Sequence, residues 1–241
     1  MFINKKLAVF LLAASMGISF CGAAEKAKEA KSVEDNNVVE SSSAKTSWLG
    51  FGLFSPCQYP DEDTEIKVFR FSTIYTWNKA VSGFDCGLLC DAGSGGVDGA
   101  QIAISNRTSG TMNGFSLGFL NIAEESMNGF QWGAFYNQAG SDSLDNAGAN
   151  YTKSSGFQLA FINTADSIFS GCQMGIINLS NTIFKGLQIG LFNMAEQPSD
   201  IFADFQSEEF KEEKKKRSCV QIGVLNFNSN GVLPITMLIN F

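Results

Sequence analysis

The stretch "CGLLC", Cys86 to Cys90, brings two thiols within four residues and is the first place to look for chemistry. Such a pair can hold a metal ion or close a disulfide, because thiolates are soft ligands and oxidise readily. A tetrahedral site needs a second pair of ligands, and the chain offers no matching cysteine pair and no histidine. Two ordinary core or corner residues are therefore the better reading, and no metal or cofactor is expected. "DAGSGGVDG", Asp91 to Gly99, has the glycines of a phosphate loop but not its Lys and Ser or Thr. It also lacks the regular acidic spacing of a calcium loop, so a plain turn is expected. "NRT", "NYT" and "NLS" match glycosylation acceptors, and chance explains them beside a bacterial-looking leader. Without histidine, His-dependent triads are excluded. The carboxylates form no pair at the repeated positions, so no catalytic residues are expected.

Composition says more about architecture. The 241 residues are 44% apolar and 17% charged, with 24 Gly and 22 Phe against 4 Pro. A chain poor in helix formers and rich in strand residues is expected to be all-β. A net charge of -7 argues against a nucleic-acid partner, which needs clustered positive charge.

The domains follow from shifts in composition. Residues 1–24 read as an export signal: Lys5 and Lys6 precede the apolar run Leu7 to Phe20, and Gly22 and Ala24 are small residues near a cleavage point. Cys21 offers a rival reading as a lipidated N-terminus, which Phe20 directly before it fits poorly. Residues 25–46 form a polar, Ser-rich linker expected to be disordered, 47–67 a cap segment, and 68–241 a tandem repeat with a C-terminal apolar cap. Cleavage after Ala24 removes two lysines and no acid, which leaves 15 basic against 24 acidic residues and a net charge of -9.

The repeat period is 15 residues. Units begin at Val68, Gly83, Gly99, Gly114, Gly129, Gly156, Gly171, Gly186 and Cys219, and several read Gly, apolar, Gln, apolar, Gly or Ala, apolar, apolar, Asn. Apolar residues at the second, fourth and sixth places predict a strand with that face buried. Two insertions, in loops 139–155 and 196–218, enter after the Asn and are expected to leave from one corner, where they could meet an unknown protein or envelope partner.

A period this short predicts a β-solenoid built from 15-residue coils. Equivalent residues would stack at about 4.8 Å, and amides that both donate and accept would reinforce one another along the stack. Asn106, Asn121, Asn163, Asn178, Asn193 and Asn226 are expected to form one structural ladder, and Gln101, Gln131, Gln158, Gln173, Gln188 and Gln221 another. The leading Gly would supply a corner with positive φ. The alternative is an outer-membrane antiparallel β-barrel, with Phe, Leu and Ile toward lipid and Gln and Gly toward the lumen. Ile235, Met237, Ile239 and Phe241 alternate at the C-terminus as a closing barrel strand would. Against it, the strictly apolar stretch of each unit covers only about 13 Å, while the lipid band is about 25 Å.

The opening "FGLFSPCQYPDEDTEIKVFRFSTIY", the units of type "GLQIGLFN" and the ending "VQIGVLNFNSNGVLPITMLINF" together resemble a family of exported bacterial surface-repeat proteins of uncharacterised function. The resemblance runs over about residues 50 to 241 and includes the order of these segments. Departures are Cys90 where the pattern has Asn, Tyr136 displacing Asn137 by one place, and the charged insertion before Cys219. It implies export and surface exposure and supplies no catalytic residues. The expectation is a non-enzymatic structural or interaction protein at the outer membrane or cell surface, or else in the periplasm; the alternative is an integral outer-membrane barrel or pore.

Overall fold

The computed structural model describes residues 45–55, 57–140, 152–180, 184–195, 219–228 and 235–240. The chain divides after Ser43, and these residues belong to its second unit, Ala44–Phe241. The export signal with Cys21 and most of both insertions, 141–151 and 196–218, lie outside the described residues, as does Phe241.

Thirteen strands follow one another among the described residues: β1 (Thr46–Phe54), β2 (Cys57–Tyr59), β3 (Glu65–Thr108), β4 (Thr111–Ala123), β5 (Ser126–Ala139), β6 (Lys153–Leu159), β7 (Ile162–Ala165), β8 (Ile168–Met174), β9 (Ile177–Ser180), β10 (Phe184–Ile189), β11 (Phe192–Ala195), β12 (Cys219–Asn228) and β13 (Ile235–Asn240). They make an all-β fold with one mixed sheet, ordered β2-β1-β3-β4-β5-β6-β8-β10-β12-β11-β9-β7, with β13 on β12. Only β1–β2 and β12–β13 pair antiparallel. From β3 to β12 each unit pairs in parallel with the next, like residue on like residue: Gly114 on Gly129, Gln158 on Gln173, Asn178 on Asn193.

This pairing overturns the antiparallel outer-membrane barrel. In such a barrel successive strands run in opposite directions, whereas here the neighbouring units run the same way, offset by one repeat. Each later unit also breaks into two strands. The first halves form the row β6, β8, β10 and the second halves the row β7, β9, β11, and both rows join β5 at one end and β12 at the other.

The buried face is not the expected one. At the third and eighth places Gln and Asn are buried, while the second, fourth and sixth places turn outward, among them Ile102, Trp132, Phe161, Leu191 and Val224, all exposed. The alternation is real, but its polar side faces in. The apolar interior lies elsewhere, where Met112, Met127, Phe169 and Phe184 pack against the column Ala123, Ala139, Ala165 and Ala195. These Ala residues stand two places after each Asn, and Phe169 and Phe184 come from the short apolar run before each Gly. Phe169 and Phe184 stack with centroids 5.6 Å apart.

The leading glycines have positive φ but sit inside strands rather than at corners. Gly156, at φ 128, lies within β6, and a Cβ there would overlap the carbonyl oxygen of Gly129 in the preceding unit. The second glycine of the unit has another reason. A Cβ on Gly175 would press on the Ala160 carbonyl and come within 2.7 Å of Asn163 Nδ2, so the site stays empty to admit the neighbouring amide. "DAGSGGVDG", expected as a turn, runs as strand within β3.

Candidate functional site

The buried amides form two hydrogen-bonded chains that run along the stack. In the first, each Asn donates from Nδ2 to the Oδ1 of the next unit: Asn106 to Asn121, then Asn137, Asn163, Asn178, Asn193 and Asn226, at 2.8 to 3.1 Å. Asn137 thus takes the ladder place that Tyr136 occupies in the plain 15-residue count. The same Nδ2 groups also bond the last strand carbonyl of the following unit's first half, such as Met174 O for Asn163 and Ile189 O for Asn178. In the second chain each Gln donates in the opposite sense: Gln221 to Gln188, Gln173, Gln158 and Gln131, at 2.8 to 2.9 Å. Within each ladder the amide dipoles line up head to tail, so that each bond polarises the next, and the opposed donor directions set the two ladders antiparallel.

The ends of the ladders hold residues that the sequence reading left out. Asn240 of β13 donates to Gln221 Oε1 at 3.3 Å and so extends the Gln chain into the antiparallel strand. Ser116 stands where a Gln would be, which breaks the chain between Gln131 and Gln101, and its hydroxyl bonds Asn121 across to the other ladder. Gln101 donates to Asp85 Oδ2 at 3.0 Å. Asp85 and Arg70 are themselves the third residues of their units, so an ion pair replaces the amides at this end. The signal was present in the repeat register.

That ion pair is wholly buried. Arg70 donates from Nε to Asp85 Oδ1 at 2.8 Å and from Nη2 to Oδ2 at 2.7 Å, while Nη1 reaches Asn78 Oδ1 and the Asp91 carbonyl. Burial by itself would lower the Arg70 pKa, but the Asp85 charge and its hydrogen bonds outweigh it and raise it above the ordinary value. Arg70 is therefore a permanent cation fixed by one carboxylate. At the half-buried edge of the cluster Arg107 bridges Asp91 and Glu124.

The thiols do not converge. The five described cysteines are free, and no group of three or more His, Cys, Asp or Glu among the described residues could hold a metal ion. Cys86 is half-buried rather than in the core, whereas Cys90 is buried beside the ion pair, where burial and then the Asp85 charge push its pKa strongly up. A neutral buried thiol is a poor nucleophile. At neutral pH alkylation is therefore expected to label the exposed Cys57 quickly and Cys90 only after unfolding, as peptide mapping of labelled chain would read. Asn106 and Asn178, in two of the three glycosylation-like triplets, are buried and closed to modification in the folded chain.

Exposed polar residues repeat the pattern more weakly. Asn113 bonds Asp98, Asn128 bonds Asn113 and Ser155 bonds Asn128, one place before each Gly. Outside the ladders, phenylalanines stack in columns: Phe115, Phe130 and Phe157 in one, Phe119, Phe135 and Phe161 in another, with centroids 5.2 to 5.9 Å apart.

No family model, curated protein or solved structure matches the chain. Its function has to be read from these columns.

The Asn ladder gives a direct test. Asn178 accepts from Asn163 and donates to Asn193 and to Ile189 O, all out of water. Asn178→Ala leaves those groups unpaired and is expected to cost about 1–3 kcal/mol in a denaturant titration. A loss too small to measure would mean that the amide is not held in a buried chain.

Proposed function

We propose that the chain is an exported β-solenoid of 15-residue coils, resembling the surface-repeat family, that serves the cell envelope or surface as a structural or interaction protein without catalysis. The observation that carries this reading is the commitment of the buried polar groups to structure: Gln, Asn, Arg70 and Asp85 bond one another along the stack. In-register parallel pairing at a fixed offset supports the coil. A ladder of this kind is a rigid spacer able to carry inserted loops, the role this reading gives to 139–155 and 196–218. The interior gives little support to a pore, because amides fill it from both rows.

Fractionation of cells expressing the full chain with a C-terminal tag tests the location. The product is expected in the envelope fraction, with its N-terminus at or near residue 25; a lipid-modified Cys21 as first residue would place the anchor there instead. An uncleaved product in the cytoplasm would overturn export and, with it, the envelope role.

A further inference from the structure

The outward columns are unusual in both polarity and extent. From Phe115 to Leu225 the second, fourth, sixth and seventh places of the units hold no Asp, Glu, Lys or Arg. Phe119, Phe161, Ile176, Leu191 and Val224 at the sixth place, with Phe135 brought into line by the one-residue bulge before Tyr136, follow one another down the stack, a ridge about 24 Å long at ~4.8 Å per step. Phe161 is 45% exposed, Leu191 48% and Val224 53%, and Trp132 in the flanking fourth-place column is 50% exposed. Charged groups keep to another stretch of the repeat. Every charged residue described between Gly99 and Ala195, which means Arg107, Glu124, Glu125, Lys153, Asp166 and Lys185, lies between the Asn of one unit and the Gly of the next. The Asp98, Asn113, Asn128 and Ser155 ladder and the attachment points of both insertions fall in that same stretch, the ladder bordering the second-place column of Phe115, Phe130 and Phe157.

We propose that this apolar ridge and its flanking columns seat among the acyl chains of a lipid bilayer, with the stack lying along the membrane surface and its charged side in water. The inference deepens the envelope reading by naming the partner. Three features favour lipid over a protein. Protein interfaces carry about one hydrogen bond per 100–200 Å², and the ridge residues have no side-chain donor or acceptor to make them. The backbone amides beneath, including Ile176 and Leu191 at the turns, are already paired between units, as a surface facing hydrocarbon requires. A helix split into apolar and charged faces lies in the interface in this way, and a ladder with the same division meets the same physics. The net charge of -7 means that apolar burial, not attraction to anionic headgroups, holds the contact.

The test uses the full chain with Trp48→Phe and Trp77→Phe, which leaves Trp132 as the sole tryptophan, mixed with phosphatidylcholine vesicles carrying nitroxide on the acyl chains. The apolar leader can tether the chain to a vesicle but cannot bring Trp132 into the acyl layer. Emission from Trp132 is expected to shift to shorter wavelength and to be quenched, and to stay so at ~1 M salt, where charges are screened beyond about 3 Å. Adding F161E and L191E, both at exposed positions, is expected to abolish the quenching while the circular dichroism melt is retained. Unquenched Trp132 in the parent, or quenching that survives the two glutamates, overturns the proposal. A chain that sediments as a dimer, shields Trp132 without lipid and dissociates on adding F161E and L191E would show that a second copy covers the ridge. Either result leaves the fractionation outcome untouched, so the envelope reading fails or stands separately.

Discussion

Asp85→Ala is expected to lower stability by about 3–5 kcal/mol, because it leaves the Arg70 guanidinium buried without the carboxylate that it hydrogen-bonds. Asp85 accepts two bonds from Arg70 and one from Gln101, so a single truncation also strips Gln101 of a buried acceptor. The loss is read from the denaturant midpoint, and in a stacked repeat it falls first on the units nearest the change, so hydrogen exchange should quicken first in 65–108. The double change Arg70→Met with Asp85→Leu is expected to recover much of the loss, since a buried pair and well-packed apolar residues are often close in stability. A single change that costs under about 0.5 kcal/mol would show that Arg70 reaches water.

Gly156→Ala should be comparably damaging for a backbone reason. At φ 128 an L side chain is strained, typically by about 1–2 kcal/mol, and here the added carbon also overlaps the Gly129 carbonyl, where overpacking costs a further 1–3 kcal/mol or so. The next unit pays the same geometry, since Gly171 has φ 152 and faces the Gly156 carbonyl. Cys219 stands in the glycine column after the second insertion, beside Gly186. A melting curve for Gly156→Ala matching that of the parent would mean that the strands do not approach so closely.

Much of this was legible in the repeat. The register of Gln131, Gln158 and the later amides predicted which side chains meet, because a fixed period carries equal residues to equal places, whereas Gln101 meets Asp85 instead. Orientation was not legible, since alternation shows that a strand has two faces without saying which is inside. Apolar content pointed inward by default, and it pointed wrongly: two chains of paired amides occupy the narrow space between the rows and satisfy one another there, which sends Phe, Leu and Ile out. The outcome joins in-register parallel pairing of like residues to the side-chain polarity expected of a barrel. Arg70 and Asp85 were hidden for a different reason. They break the repeat consensus while keeping its place, and only the geometry shows them pairing. Ser116 and Tyr136 similarly obscured the ladder path through Asn121 and Asn137.

The parallel pairing of successive units is tested most directly by a cross-link between Ser155 and Ser170, which oppose one another on β6 and β8. Both are exposed, and neighbouring strands lie about 4.8 Å apart, close enough for a disulfide. In a C172S background, to remove the nearby thiol, Ser155→Cys with Ser170→Cys is expected to oxidise within the monomer and to raise the melting temperature or leave it unchanged. In antiparallel strands of one unit each, these residues would stand at opposite ends of a strand, tens of ångströms apart at about 3.3 Å per residue. Two thiols that both remain free in folded, oxidised protein would contradict the stacked ladder.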